Sequence, residues 1–140
     1  MKKGIENQQW YIGIDVSKLT IDVCVMNSQA QEDHHQFENS DRGFREMELW
    51  LEQERDFKWS QGLFCMEYTG LYTRELTFFL LQRGAKVWME SALHLKRSIG
   101  IARGKNDKID SYRIARYAMT NKDKAILLEL STQTLVKLKD

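Results

Sequence analysis

The feature that most constrains this chain is the stretch from Trp10 to Met26, Trp-Tyr-Ile-Gly-Ile-Asp-Val-Ser-Lys-Leu-Thr-Ile-Asp-Val-Cys-Val-Met. An apolar, β-branched run from Tyr11 to Val16 breaks at Ser17 and Lys18, and Leu19 to Met26 repeats the strand composition, so the stretch reads as a hairpin. Asp15 sits near the end of the first run. A carboxylate among Ile12, Ile14 and Val16 is costly to desolvate unless a cation or a donor meets it. Two explanations fit these residues: an Asp bonding the turn amides at a strand end, or a carboxylate placed to bind a metal.

The same arrangement recurs downstream. Gly62 to Met66 is apolar and delivers Glu67 at its end, directly before Tyr68-Thr69-Gly70. Leu71 to Arg83 follows as a helix with Leu71, Leu76, Phe79 and Leu80 at core spacing, stopped by Gly84. Lys86 to Met89 is a short strand, which completes a βαβ unit and implies that its two strands are parallel. Ligands bind such sheets at the carboxyl ends of the strands, where Glu67 falls. Between hairpin and βαβ unit, His34 to Glu38 is a candidate third strand. Its adjacent residues His34 and His35 point to opposite faces and read as surface residues. Ser40 or Asp41 caps a helix bearing Phe44, Met47, Trp50 and Leu51 on one face.

Charge is segregated along the chain although the net value is only +1. From Met1 to Glu90 there are 10 basic and 15 acidic residues, whereas Ser91 to Lys124 carries 9 basic and 3 acidic. A block of one sign this long suits a polyanionic partner, although a solvated helical face has the same composition. Within it, Ser91 to Ile101 is a basic amphipathic segment, residues 103–106 are a loop, and Asp107 caps a helix running to about Met119. Asp110 falls one turn on, so both carboxylates project from one side near the positive helix end. Ile114 and Tyr117 continue that stripe, which turns this face toward the protein. From Ile126 onward a further amphipathic helix is expected.

The 140 residues suit one domain with its own core, and 42% hydrophobic against 29% charged argues for a folded globular chain. No apolar run approaches the roughly 20 residues that span a bilayer, and the first residues lack a signal-peptide pattern, so the default compartment is the cytoplasm. Cys24 and Cys65 lie in strand-like runs without partners at metal or redox spacing and read as buried free thiols.

Asp15, Glu67, Asp107 and Asp110 thus stand at structural punctuation points, and the two strand carboxylates meet if their strands are neighbours. Four carboxylates in one cleft call for divalent cations, and hard oxygen ligands suit magnesium or manganese. Two such ions can clamp the attacking and leaving oxygens of a phosphodiester, with the basic block holding backbone phosphates. The nucleic-acid contacts expected on this basis are Lys18, Lys96, Arg97, Arg103, Lys105, Lys108 and Arg113.

Three blocks carry a resemblance: Ile-Gly-Ile-Asp-Val-Ser-Lys at 12–18, Met-Glu-Tyr-Thr-Gly at 66–70, and Lys-Asn-Asp-Lys-Ile-Asp-Ser-Tyr-Arg-Ile-Ala-Arg-Tyr-Ala at 105–118. Together they resemble the signature blocks of the DEDD transposases, the insertion-sequence family that includes the Piv invertases. Asn106, Lys108 and Ser111 depart from that family's usual residues, but no carboxylate is touched. The resemblance implies an α/β, RNase H-like (RuvC-like) mixed sheet flanked by helices, with Asp15, Glu67, Asp107 and Asp110 as catalytic metal ligands for Mg²⁺ or Mn²⁺. It also implies a DNA substrate, a structured guide RNA as a further partner, and a dimer or tetramer for strand exchange. Family members continue into a second domain bearing a serine nucleophile. Residues 1–124 are accordingly expected to form the catalytic domain and 125–140 to start a connecting helix, with the serine-bearing domain absent.

Three other readings compete. A Holliday-junction resolvase-like nuclease of the same fold would cleave DNA as an isolated domain. A sugar kinase or actin-like ATPase half fits Gly13-Ile14-Asp15 but needs a second Gly-rich phosphate loop, which is not visible. In a non-catalytic nucleic-acid-binding module the acids would only cap helices.

Overall fold

A computed structural model describes residues 10–54, 56–68, 70–99 and 107–128, and for 96–99 and 107–109 the backbone alone. The hairpin forms as expected: β1 (Trp10–Val16) pairs antiparallel with β2 (Thr20–Asn27), setting Ile12 opposite Val25 and Asp15 opposite Asp22. Ser17 closes the turn, its N–H and Oγ each donating to the Thr20 carbonyl at 2.9 Å. Asn27 organises the next turn by accepting from the N–H groups of Gln29 and Gln31, both at 3.0 Å, and β3 (Glu32–Glu38) returns antiparallel along β2.

Ser40 caps α1 (Asp41–Glu52), its Oγ accepting from the Gly43 N–H at 3.2 Å. The βαβ unit then follows as β4 (Gly62–Glu67), α2 (Leu71–Gln82) and β5 (Lys86–Glu90). β4 lies parallel to both β1 and β5, which gives a five-stranded mixed sheet in the order β3-β2-β1-β4-β5. α3 (Ala92–Ile99) and α4 (Asp107–Thr120) complete the described helices.

Strand alternation divides the core between the two faces of the sheet. Ile12, Ile14, Val23, Phe64, Met66 and Val87 face α1 and α2, where Phe44, Met47, Leu51, Leu76 and Leu80 cover them. Tyr11, Cys24, Met26, Leu63, Cys65 and Trp88 face α4, which contributes Ile114, Ala115, Tyr117 and Ala118. Each fully buried large side chain contributes roughly 1.5–3 kcal/mol by leaving water. Ile114 and Tyr117 therefore do turn inward.

α4 reaches the sheet through Gly13. A Cβ at that position would lie 2.3 Å from both the Ala115 nitrogen and the Ser111 carbonyl oxygen, so a hydrogen there lets the helix backbone rest on β1. Ser111 is fully buried at this crossing. Lys122 Nζ donates to the Tyr11 hydroxyl at 3.3 Å, so α4 runs from the Asp15 end of β1 back toward its start.

Three expectations need correction. Leu71 is not a core residue: it is the first residue of α2 and is 76% exposed, the buried stripe of the helix starting at Thr73. His34 is half-buried rather than a surface residue, and bonds to Asp22 on the α4 face; His35 is exposed and packs its ring against Phe37. Residues 125–128 are extended rather than helical, the Leu128 N–H donating to the Val87 carbonyl at 2.8 Å beside β5; the remainder of the expected terminal helix lies outside the described residues.

Candidate functional site

β1, β4 and β5 end at the same edge of the sheet, and each brings a carboxylate there on the α4 face. Ile14 pairs with Met66, so the same register sets Asp15 beside Glu67, and Glu67 in turn pairs with Glu90. On the other side Asp15 pairs with Asp22. The alternation that puts Tyr11, Cys24, Cys65 and Trp88 against α4 puts these acids on the same face. The result is a row, Asp22, Asp15, Glu67 and Glu90, running across four adjacent strands.

The row's outer acids are held by side chains of the sheet and its flanking helices. Asp22 is buried; its Oδ1 lies 3.0 Å from His34 Nε2, and Gln36 Nε2 donates to its Oδ2 at 3.2 Å. Glu90 accepts from the Tyr117 hydroxyl at 3.3 Å and from the Ser91 N–H at 3.2 Å, and His94 Nδ1 lies 3.4 Å from its Oε2. Asp15 and Glu67, half-buried, occupy the middle of the row.

Asp110 comes to the same face on the first turns of α4, one residue before the Ser111 carbonyl that rests over Gly13. Asp110 is half-buried and its Oδ1 is fully so. Asp107 is the first residue of α4, and its side chain lies outside the described residues. Among the described residues no three His, Cys, Asp or Glu side chains stand close enough together to hold a metal ion. The donor chemistry nonetheless fits a hard divalent cation, since Asp15, Glu67 and Asp110 offer carboxylate oxygens on one face at one end of the sheet.

Of the expected nucleic-acid contacts, Lys18 is exposed in the turn that follows Asp15, and Arg113 is half-buried on α4. Lys96 and Arg97 belong to α3 and Lys108 to the first turn of α4, with side chains outside the described residues, as Arg103 and Lys105 are entirely. Neither thiol belongs to the site's chemistry. Burial, helped by the Glu32 carboxylate, pushes the Cys24 thiol up to about 12, and burial pushes Cys65 up as well.

Sequence reasoning missed Asp22 and Glu90. Counting outward from the Ser17–Lys18 turn would have placed Asp22 opposite Asp15. Glu90 repeats the carboxylate-at-strand-end pattern of Glu67, but the strand was expected to stop at Met89.

Comparison with known proteins gives the chain's family and fold. The profile of a transposase family, the DEDD transposases, matches residues 12–140. The pilin gene-inverting proteins of Moraxella lacunata and Moraxella bovis are each 34% identical over 110 residues, covering 76% of this chain and 33% of theirs. The chain thus spans about a third of the length of these curated relatives. Among solved structures, RuvC of T. thermophilus in complex with a Holliday junction substrate superposes with a TM-score of 0.51 at 14% identity, covering 86% of this chain and 100% of that one. That likeness shows the fold to be RNase H-like. On the extent of the profile match, this chain belongs to the DEDD transposase family.

Proposed function

We propose that this chain is the metal-binding catalytic domain of a DNA transposase or recombinase, acting on phosphodiester bonds at the carboxyl edge of its sheet. The observation that supports this reading is that the Ile14–Met66 register sets Asp15 beside Glu67 on adjacent parallel strands, while α4, which carries Asp110, rests on β1 at Gly13. Asp15, Glu67, Asp107 and Asp110 are the proposed ligands for Mg²⁺ or Mn²⁺, as two ions. Bound there, the metal would neutralise the carboxylates and polarise the oxygens of a phosphodiester.

The chain's own groups do the rest. Asp22 and Glu90, fixed by His34, Gln36, Tyr117 and Ser91, hold the ends of the row and so limit how far Asp15 and Glu67 can shift. Lys18, beside the row, and the basic block of 91–124 contact backbone phosphates. The pilin gene-inverting relatives are consistent with an inversion or transposition reaction. Completing it is assigned to the remainder of a longer protein, working as a dimer or tetramer in the cytoplasm, with guide RNA as a further partner. No described helix is long and apolar enough to cross a membrane.

The test is a binding assay with fluorescent duplex and four-way-junction DNA, run in Ca²⁺ and again in EDTA. The expected result is DNA binding that strengthens in Ca²⁺, with the Ca²⁺-dependent part lost in Asp15→Asn and Glu67→Gln. Equal affinity in both buffers, unchanged in folded variants, would mean that the acids are structural and the chain a non-catalytic binding module.

A further inference from the structure

At the opposite end of β1 from Asp15, on the sheet face that α1 and α2 cover, lies a cavity of about 240 Å³ lined by Trp10, Val25, Asn27, Glu32, Asp33 and Glu54. Its walls combine acid with apolar surface. Burial and the neighbouring Asp33 carboxylate push the Glu54 carboxyl up from its ordinary range, and no basic side chain among the described residues pairs with either acid. Trp10 is only 8% exposed, and its Nε1–H has no hydrogen-bond partner among the described residues. No three ligating side chains among those residues stand close enough to hold a metal ion.

The cavity adjoins an open edge of the sheet. β3 is the last strand in the order, and its register decides which backbone groups face outward. The Asn39 N–H donates to the Leu19 carbonyl and the Asn27 N–H to the Gln31 carbonyl, so the pairs Phe37–Ile21, His35–Val23 and Asp33–Val25 between them exchange the ladder hydrogen bonds. The N–H and carbonyl groups of His34 and Gln36 therefore point away from β2. The His34 N–H donates to the Asp33 carboxylate at 2.9 Å, the same carboxylate that lies beside Glu54.

We propose that β3 and this cavity form a docking site for an extended protein segment that pairs with the β3 edge and places an arginine side chain against Asp33 and Glu54. A cation is what two adjacent carboxylates lack, and a guanidinium meets a carboxylate through two hydrogen bonds and stacks on aromatic surface such as that of Trp10. A bare ion would leave a cavity of this size largely empty, whereas the apolar stem of an arginine packs against Val25. A peptide also brings the carbonyls that the Trp10 indole and the outward Gln36 N–H call for. Arginine binding draws the Asp33 carboxylate from the His34 N–H and frees that donor for the partner strand, so side-chain capture and strand pairing reinforce each other. Carboxylates repel phosphate, so the partner at this end of the sheet is protein and not nucleic acid. The site is separate from the acid row and does not rest on the metal reading.

The experiment follows the fluorescence anisotropy of a fluorescein-labelled, end-capped peptide of alternating valine and threonine with one central arginine, titrated with the 140-residue chain at low salt. The expected result is saturable binding, at least about tenfold weaker when citrulline replaces the arginine. Glu54→Gln should bring the arginine peptide down to the citrulline level while leaving Mn²⁺ titrations like the parent's. Methylating alternate peptide nitrogens should also weaken binding, because it blocks the edge. Circular dichroism melting checks that each variant is folded. Equal binding of the arginine and citrulline peptides, or of neither, overturns the proposal. So does a loss that follows Asp15→Asn instead of Glu54→Gln, which would put the peptide on the acid row. Arginine amide binding as tightly as the peptide would make the cavity a small-cation site and would overturn the strand pairing.

Discussion

The two faces of the sheet are built on different terms. Against α1 and α2, the inward residues are an unbroken apolar set, Ile12, Ile14, Val23, Val25, Phe64, Met66 and Val87, and the covering helices reply with Phe44, Met47, Leu51, Leu76 and Leu80. Against α4, Tyr11, Cys24, Cys65 and Trp88 form a smaller apolar patch that gives way, toward the carboxyl edge of the strands, to Asp22, Asp15, Glu67 and Glu90. One face carries burial alone, while the other combines burial with a row of carboxylates. Concentrating acids at one place is unfavourable for folding, and such a departure from local consistency is where function is expected. The apolar face offsets that cost.

Truncation on the apolar face should have the largest effect on stability and leave the acids in place. Phe64→Ala removes a fully buried ring from the middle of β4 and should cost about 3–5 kcal/mol in urea unfolding. Any divalent binding by the fraction still folded should be unchanged. A loss of metal affinity in folded Phe64→Ala would mean that the two faces do not act separately.

Gly13→Ala attacks the other face. Its Cβ would meet the backbone of Ser111 and Ala115 at 2.3 Å, and backbone cannot rotate away as a side chain can. Destabilisation of about 1–3 kcal/mol is expected from such overpacking. More telling is the local effect: α4 must lift from β1 and carry Asp110 with it, so divalent binding should weaken further than the global loss accounts for. Normal metal affinity in this variant would show that α4 does not need to seat on Gly13.

The smallest effect concerns Cys24, buried between the apolar patch and the acid row. Its thiol is pushed up to about 12 from an ordinary 9.0, so the folded chain keeps that proton while the unfolded chain releases it. The stabilisation from this group is complete below about pH 9 and fades as the pH rises toward 12. Urea midpoints taken at about pH 8 and about pH 10 should therefore fall less in Cys24→Ala than in the parent. Equal falls would mean that the thiol ionises freely in the folded chain.

How far the sequence revealed these two faces depended on which constraints are local. The hairpin, the Ser40 cap and the βαβ unit rest on alternation, capping and a glycine stop within a few residues of one another, and all three form. Asp15 and Glu67 were visible because a carboxylate in an apolar run is conspicuous. Asp22 was not, because its role depends on register across a hairpin and on His34 and Gln36 from a third strand. Gly13 reads as an ordinary strand residue until α4, about a hundred positions later, is laid across it. Leu71 fits the helical stripe by spacing, but which turn of a helix meets the sheet is set by tertiary packing, and in the first turn of α2 Leu71 and Tyr72 stay in water.

The central claim, the proposal that Asp15, Glu67, Asp107 and Asp110 together bind a divalent cation, is tested most directly by calorimetric titration of Mn²⁺ into the chain and into folded Asp15→Asn, Glu67→Gln and Asp110→Asn. The account predicts saturable binding by the parent and at least a tenfold loss, about 1.4 kcal/mol, in each variant. Binding that survives unchanged in all three variants would contradict it.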